Sequence, residues 1–214
     1  MQKIMFNDRY GLTDAVIEGR QTMTRRLVSD RLWEIWTDYD DFCNSVIGGI
    51  ARGGTSVSRE YYHECDFFKD KCRYKVGEVV AVAQSYEQIG ANPQHYISRP
   101  DIDGYQIIST CPGWRNKMFV RAELMPHQIR IIRIRCERLQ DIPDEDCMKE
   151  GVVDVTYFKT GGRPYELFAL PGHEYEETFN TPRQAFAALI DKVSGRGTWD
   201  RNPWVVAYEF ELVK

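Results

Sequence analysis

The chain has 214 residues, of which 43% are hydrophobic, 28% charged and 13% aromatic, and its formal net charge is −4. This size and composition predict one globular domain over residues 1–214 and exclude a disordered or fibrous chain. Its apolar runs fall short of the roughly 18 residues of a membrane span, and a slightly negative net charge by itself favours no polyanionic partner.

Hydrophobic patterning predicts the first elements in chain order. We expect a strand at residues 4–6, a helix at 12–18 closed by Gly19, a helix at 30–41 and a buried strand at 79–83. Glycines, prolines and mixed polar residues interrupt this pattern, so the stretches at about 42–72 and 87–113 are interpreted as irregular insertions.

The C-terminal half is more regular. Its predicted elements are a strand at 128–138, a helix at 144–150 ended by Gly151, a helix from Pro182 to about residue 193, and a half-buried strand at 204–213. Within 128–138 the apolar alternation changes phase between residues 131 and 132, which indicates a β-bulge. Thr181 and Gln184 predict a capping box, and a third irregular stretch, which is acidic, is expected at about 154–178. Strands separated by unequal loops and short helices predict an α+β fold with a small, closed or nearly closed sheet.

The cysteines and the N-terminus bear on compartment and metals. Because the N-terminus has no secretory pattern, we expect a cytoplasmic protein with free thiols and no membrane contact. Cys43, His63, Cys65 and Cys72 are possible zinc ligands, but the paired spacing typical of structural zinc sites is absent. We therefore expect no metal and no cofactor.

The net charge hides an uneven distribution. Residues 20–31 carry a balance of +3, residues 115–138 carry +5, and residues 144–178 carry −6. If the two basic segments meet in the fold, they form a surface that attracts phosphate despite the negative total. The alternative is that they are solvated strand faces paired with the acidic stretch.

Several common catalytic motifs are absent from the sequence. It contains no phosphate-binding loop, dinucleotide fingerprint, zinc-protease helix or nucleophile elbow. What remains is residues 19–26, Gly-Arg-Gln-Thr-Met-Thr-Arg-Arg, which combine two hydroxyls and three guanidinium groups. Backbone amides, hydroxyls and arginines together can bind a phosphate group. The alternative is an extended connection whose basic side chains lie in solvent.

Together with four further blocks of sequence, this motif resembles a known protein family. The blocks are residues 74–80, 135–142, 144–151 and 202–210, and they include Glu150-Gly151 and Asn202-Pro203-Trp204. In this order they resemble the ASCH domains of the PUA-like superfamily, and most closely the phage- and prophage-associated bacterial proteins. The resemblance covers most of the chain outside the three irregular stretches. It implies a PUA-like, small mixed β-barrel with flanking short helices and loop insertions.

The resemblance also implies function. PUA-like barrels commonly bind RNA or modified bases, and some small ASCH members deacylate N4-acetylcytidine with a Lys, a Thr and a Glu. Thr24 and Glu150 match the Thr and the Glu, whereas Gln21 replaces the Lys. Because an amide neither takes nor gives a proton near neutral pH, this replacement favours a binding protein over a hydrolase.

The leading hypothesis is therefore RNA, nucleic-acid or nucleotide binding in a basic cleft. Its candidate contact residues are Arg20, Gln21, Thr22, Thr24, Arg25, Arg26, Trp114, Arg121 and Arg130. Trp114 would stack on a base, or else pack on the core of the sheet. One alternative is a hydrolase, an amidohydrolase or nuclease, that uses Thr24 and Glu150 as catalytic residues. Another is a phage-related protein-interaction module that engages a partner through the acidic stretch.

Overall fold

The computed structural model of the protein describes residues 1–50, 63–91, 112–158 and 164–213. Its helices are α1 (Leu12–Ile17), α2 (Asp30–Ile50), α3 (Glu64–Lys71), α4 (Asp144–Lys149), α5 (Pro182–Ser194) and α6 (Thr198–Arg201). Its strands are β1 (Lys3–Ile4), β2 (Met23–Leu27), β3 (Val79–Val82), β4 (Gln128–Arg138), β5 (Val153–Asp154), β6 (Tyr157–Phe158), β7 (Pro164–Tyr165), β8 (Phe168–Ala169), β9 (Thr178–Phe179) and β10 (Trp204–Leu212).

The main sheet has five strands in the order β1-β3-β4-β10-β2. β1 is parallel to β3, and the other neighbours are antiparallel. The predicted α+β class is therefore confirmed. Within the described ranges no strand pairing joins β1 to β2, so the sheet is open there and no closed barrel is found.

The predicted bulge in β4 is present. Glu209 of β10 lies opposite Arg133 and Phe210 lies opposite Ile131, so Ile132 has no partner in the register. Ile132 is exposed, whereas the isoleucines at 131 and 134 are both buried. The extra residue lets an apolar side chain return to the core face after the phase change.

The predicted helix signals around α4 and α5 also hold. The residue that follows α4 and its C-cap is Gly151, with φ +102°, a backbone conformation that favours glycine. The Thr181 hydroxyl accepts a hydrogen bond from the Gln184 amide at 3.2 Å, and Pro182 occupies the first turn of α5. The Gln184 side chain in turn accepts from the amide of Asn180 at 3.2 Å, one residue earlier than a standard capping box.

The prediction of an irregular stretch at about 42–72 is wrong for those of its residues that the structure describes. α2 continues into this stretch as far as Ile50, and α3 lies at the C-terminal end of the stretch. α3 buries Phe67 and Phe68 against Trp36 of α2, in an aromatic cluster that also contacts the sheet. Two adjacent phenylalanines give no helical stripe, so the sequence pattern does not indicate this helix. Residues 51–62 lie outside the described residues, as does 92–111 in the second predicted insertion.

The acidic stretch at about 154–178 contains paired strands, which corrects its interpretation as wholly irregular. β5, β8 and β9 form a three-stranded sheet, and β6 pairs with β7. These strands have two residues each, which is too short for a period-two pattern to register. The last strand also differs from expectation, because residues 205–208 of β10 are buried on both faces rather than alternately. No helix in the described ranges is long and apolar enough to cross a membrane.

Candidate ligand-binding site

The motif at residues 19–26 turns out of α1 and becomes an edge strand. Gly19 has φ +74°, and the amide of Gln21 donates to the carbonyl of Ala15 at 2.9 Å. Thr22 is held at both backbone groups, because its amide donates to Lys149 and its carbonyl accepts from Phe210. The motif is therefore packed between α4 and β10, and it is not an extended connection in solvent.

Alternation along β2 divides its side chains between two faces. Thr24 lies opposite Tyr208 of β10 and Arg26 lies opposite Val206, so these side chains share one face of the sheet. Met23 and Arg25 belong to the other face, on which Arg25 contacts Asp146 of α4. Thr24 and Arg26 therefore project from one face of β2, and Met23 and Arg25 from the other.

On the α4 face, the Arg25 guanidinium is surrounded by carboxylates. Its Nη2 lies 2.5 Å from Glu137 Oε1 and 3.1 Å from Asp146 Oδ2, and its Nη1 lies 2.9 Å from Glu150 Oε1. The Arg25 side chain is 0% exposed. Its guanidinium is therefore already engaged by carboxylates inside the protein, and ligand contact by Arg25 stays a prediction.

The same cluster sets the protonation of its acids. Burial raises the pKa of Glu150 above its usual value, and the ion pair with Arg25 offsets this effect only in part. Burial also tends to raise the pKa of Asp146, but hydrogen bonds from Arg135 and Arg25 outweigh it and lower that pKa. Glu150 is therefore protonated more readily than Asp146.

A pocket of about 310 Å³, called here the motif pocket, opens beside β2. Its polar lining includes Gln21, Thr24, Arg25, Arg26 and Glu150, and its apolar wall includes Leu12 and, from α5, Phe186, Leu189 and Ile190. The structure therefore brings together Gln21, Thr24 and Glu150, the three positions that the sequence resemblance matched to a Lys, a Thr and a Glu. Lysine is absent from this lining.

Gln21 is the unusual member of the motif pocket. Its side chain is only 2% exposed, and its Nε2 donates to the carbonyl of Met23 at 2.9 Å. Its Oε1 is buried and has no hydrogen-bond partner among the described residues. A buried acceptor without a donor costs about 1–3 kcal/mol, so this oxygen is poised to accept from a bound group.

A second and larger cavity of about 610 Å³, called here the basic groove, lies on the other side of Arg26. Its lining includes five cationic side chains, Lys3, Arg26, Arg31, Lys71 and Arg73, together with Tyr74 and Tyr208. No Asp or Glu belongs to that lining. In a chain with a net negative charge, this grouping makes a local region of positive potential.

Arg26 lines both cavities and stands between them. Its Nη2 donates to the carbonyl of Met5 at 2.5 Å, and its guanidinium lies 5.4 Å from the centre of the Phe6 ring. Its Nε is buried without a partner in the part of the chain that the structure describes. Burial lowers the pKa of this guanidinium, although arginine stays charged at neutral pH.

The other predicted contact residues lie outside both cavities. Arg20 is half-exposed and pairs with Glu18 at 2.6 Å, and Thr22 is fixed through its backbone. Arg130 pairs with Glu211 across the sheet at 2.9 Å, and Arg121 is exposed on a short turn. The two basic segments meet instead at Asp146, with which both Arg25 and Arg135 form ion pairs, while Arg121 and Arg130 line neither cavity.

Trp114 also lies away from the cavities. Its ring packs against a second apolar cluster that contains Tyr86 and Val120, and it is partly buried there. Of the two sequence interpretations of Trp114, the structure supports packing on the sheet.

Four cationic residues of the basic groove were not identified from the sequence. Lys3 is an isolated charge, Lys71 and Arg73 belong to a short alternating basic run at residues 69–75, and only Arg31 belongs to a basic segment that was recognised. No local spacing links these three regions, because β1, the start of α2 and the end of α3 meet only in the folded chain.

Comparison with known proteins adds no relative. No protein-family model, curated protein or solved structure matches this chain. The resemblance to ASCH domains therefore rests on the sequence blocks alone. Within the described ranges, no group of three or more His, Cys, Asp or Glu side chains is arranged to hold a metal ion.

Proposed function

We propose that this protein binds a nucleobase of RNA or of a nucleotide in the motif pocket. The observation that carries the proposal is the buried Oε1 of Gln21, an acceptor that lacks a donor among the described residues. An amino or ring N–H group on a base edge would supply the missing hydrogen bond. The apolar wall from α5 suits the faces of a planar ring.

A PUA-like fold for the chain is part of this proposal. The two edge strands of the open sheet, β1 and β2, are linked by the hydrogen bond from Arg26 to the carbonyl of Met5 just after β1. A side-chain bridge in place of a strand ladder is compatible with an incompletely closed barrel. The order of the sequence blocks supports the same assignment and a role in a phage-related bacterial protein.

The test removes the Gln21 amide while keeping its volume. We expect Gln21→Met to weaken binding of nucleoside monophosphates and short single-stranded RNA about tenfold or more, because the base loses its acceptor. Binding is measured by titration calorimetry for the four ribonucleotides and by fluorescence anisotropy for the RNA.

The matched control is Gln140→Met, because Gln140 also donates its Nε2 to a backbone carbonyl, that of Trp199 at 2.8 Å, and lies outside both cavities. It is expected to leave affinity unchanged. Equal affinity in wild type and Gln21→Met, or no binding by wild type to any of these ligands, would refute the proposal.

A second candidate, hydrolysis of an acylated nucleoside or of RNA, is favoured by one observation. Thr24 and Glu150 line the same pocket, and burial raises the pKa of Glu150 above its usual value, which makes its carboxylate a stronger proton acceptor. In such a reaction Glu150 would accept the proton of the attacking Thr24 hydroxyl or of a water.

If the protein is a hydrolase, Glu150→Gln should lower turnover of N4-acetylcytidine about 100-fold or more, since the proton acceptor is gone. Wild-type turnover should rise with pH as Glu150 loses its proton. Turnover that persists in Glu150→Gln would remove Glu150 from the mechanism. Absence of turnover in wild type leaves the binding proposal as the function.

A further inference from the structure

We propose that the basic groove binds the phosphate groups of the same ligand, so that the ligand crosses Arg26 with its base in the motif pocket. This inference rests on the proposed function for the base, but its evidence comes from different residues. The shared chemistry is a phosphate attached to a nucleoside, whether in a free nucleotide or in a single strand.

The first argument is charge. The groove gathers cations from β1, the start of α2 and the end of α3, and no described carboxylate belongs to its lining. Two of these cations are already engaged, because Lys71 pairs with Asp70 at 3.0 Å and Lys3 donates to the carbonyls of Met118 and Val120. Arg31 is exposed and forms no ion pair with the described residues, and the Arg73 Nε is 3.4 Å from the neutral Gln2 side chain. Arginines that are not neutralised by carboxylates are available to form bidentate hydrogen bonds to phosphate.

The second argument is the buried Nε of Arg26, whose side chain is otherwise half-buried. A cation removed from water is normally paired, yet no described carboxylate forms an ion pair with Arg26, and its Nε has no described acceptor. Its one described acceptor is the neutral carbonyl of Met5. An anion at the junction of the two cavities would supply both the missing acceptor and the missing negative charge.

The third argument is the orientation of α2, a helix of 21 residues. Ser29, Arg31 and Leu32 at its N-terminal end line the groove, so the positive end of the helix dipole faces the cavity. Ser29 already accepts from the amide of Leu32 at 3.3 Å, which caps one of the free amides. The helix therefore adds to the field of the arginines and is not the site by itself.

Two tyrosines contribute to the floor of the groove. Tyr74 and Tyr208 lie edge to face with their ring centres 5.3 Å apart, and the Tyr74 hydroxyl donates to the carbonyl of Lys3 at 2.9 Å. These rings are almost fully buried, so they form a fixed apolar floor beneath the cations and offer little surface for stacking. The volume of about 610 Å³ lies in the range of cavities that bind nucleotide-sized ligands.

The experiment reverses two exposed charges of the groove, in the double variant Arg31→Glu with Arg73→Glu. We expect affinity for short single-stranded RNA to fall about tenfold or more at low salt. The slope of log affinity against log salt should also become shallower by about 1.4, because two phosphate contacts are lost. Binding is followed by fluorescence anisotropy between about 50 and 200 mM NaCl.

The control is a double variant of equal charge change outside both cavities, Arg115→Glu with Arg196→Glu. Both residues are exposed, and the circular dichroism spectra of the two double variants should match that of wild type. We expect this control to retain at least half of the wild-type affinity. Equal losses in the two double variants would overturn the assignment to the groove and indicate a general effect of net charge.

The ligands separate the two sources of phosphate. If the groove variant has lower affinity for both nucleoside monophosphates and RNA, the ligand includes free nucleotides. If it has lower affinity for RNA alone, the groove binds a single strand. Either result supports the inference, and binding of the unphosphorylated nucleosides should be unchanged. Unchanged affinity for both phosphate-bearing ligands would overturn it, even if Gln21→Met still abolishes binding. Conversely, if the groove variant loses affinity for RNA and Gln21→Met does not, only the proposed recognition of a base by Gln21 is refuted.

Discussion

Replacing Arg25 by alanine should lower the free energy of unfolding by about 3–5 kcal/mol. The guanidinium pairs with Glu137, Asp146 and Glu150. Its removal leaves the buried Glu150 without its described ion-pair partner, whereas Asp146 and Glu137 keep Arg135. The loss should be smaller at acidic pH, since protonation of the carboxyls removes the repulsion among them. Urea unfolding followed by circular dichroism at several pH values measures both effects.

Arg20→Ala is the matched control, because Arg20 belongs to the same motif but is half-exposed and paired only with Glu18. Its effect on the free energy of unfolding should stay within about 0.5 kcal/mol, as for other surface pairs. If Arg25→Ala is as well tolerated as Arg20→Ala and instead weakens RNA binding, Arg25 contacts ligand and the buried cluster is not what holds α4 on the sheet.

This contrast shows why the motif at residues 19–26 was only partly interpretable from sequence. The residue types indicated phosphate contacts for all its arginines, but strand alternation sends Arg25 and Arg26 to opposite faces of β2. The acids that engage Arg25 come from β4 and α4, more than 100 residues away. Spacing within the motif contains no information about those partners.

The elements that the sequence predicted well are those whose signal is local. The bulge in β4 leaves a phase change in the residues themselves, and the start of α5 is marked by Thr181 and Pro182. By contrast, α3 is stabilised by the contact of Phe67 and Phe68 with Trp36, which is a tertiary interaction. A helix that depends on such contacts has no amphipathic stripe for the sequence to reveal.

The same distinction holds for the candidate site. Gln21, Thr24 and Glu150 came from a resemblance over ordered blocks, and the fold places them in one pocket. Apart from Arg26, the cations of the basic groove belong to no block of the resemblance, because they come from β1, the start of α2 and the end of α3. The grouping of these cations around one cavity can be recognised only when the register of β1, β2 and β10 is known.

Replacing Gly113 by alanine should lower the free energy of unfolding by about 2–5 kcal/mol. Gly113 has φ +89°, which costs an L-residue about 1–2 kcal/mol, and a Cβ there would lie 2.7 Å from the Tyr86 ring. The ring cannot easily move, because its hydroxyl accepts from the Arg121 amide at 3.1 Å and the Tyr86 amide donates to Gly113. Overpacking of this kind adds about 1–3 kcal/mol.

Gly77→Ala isolates the backbone contribution, since Gly77 has φ +84° but nothing within 4 Å of its added Cβ. The excess loss in Gly113→Ala over Gly77→Ala therefore measures the contact with Tyr86. RNA affinity under native conditions should be the same in both variants, because Gly113 and the neighbouring Trp114 belong to an apolar cluster outside both cavities. Equal unfolding free energies would show that the Tyr86 ring yields to the new methyl group. If folded Gly113→Ala alone binds RNA more weakly, Trp114 is a base-stacking residue after all. The substitution beside Trp114 would then disturb a contact with the RNA as well as the packing of the apolar cluster.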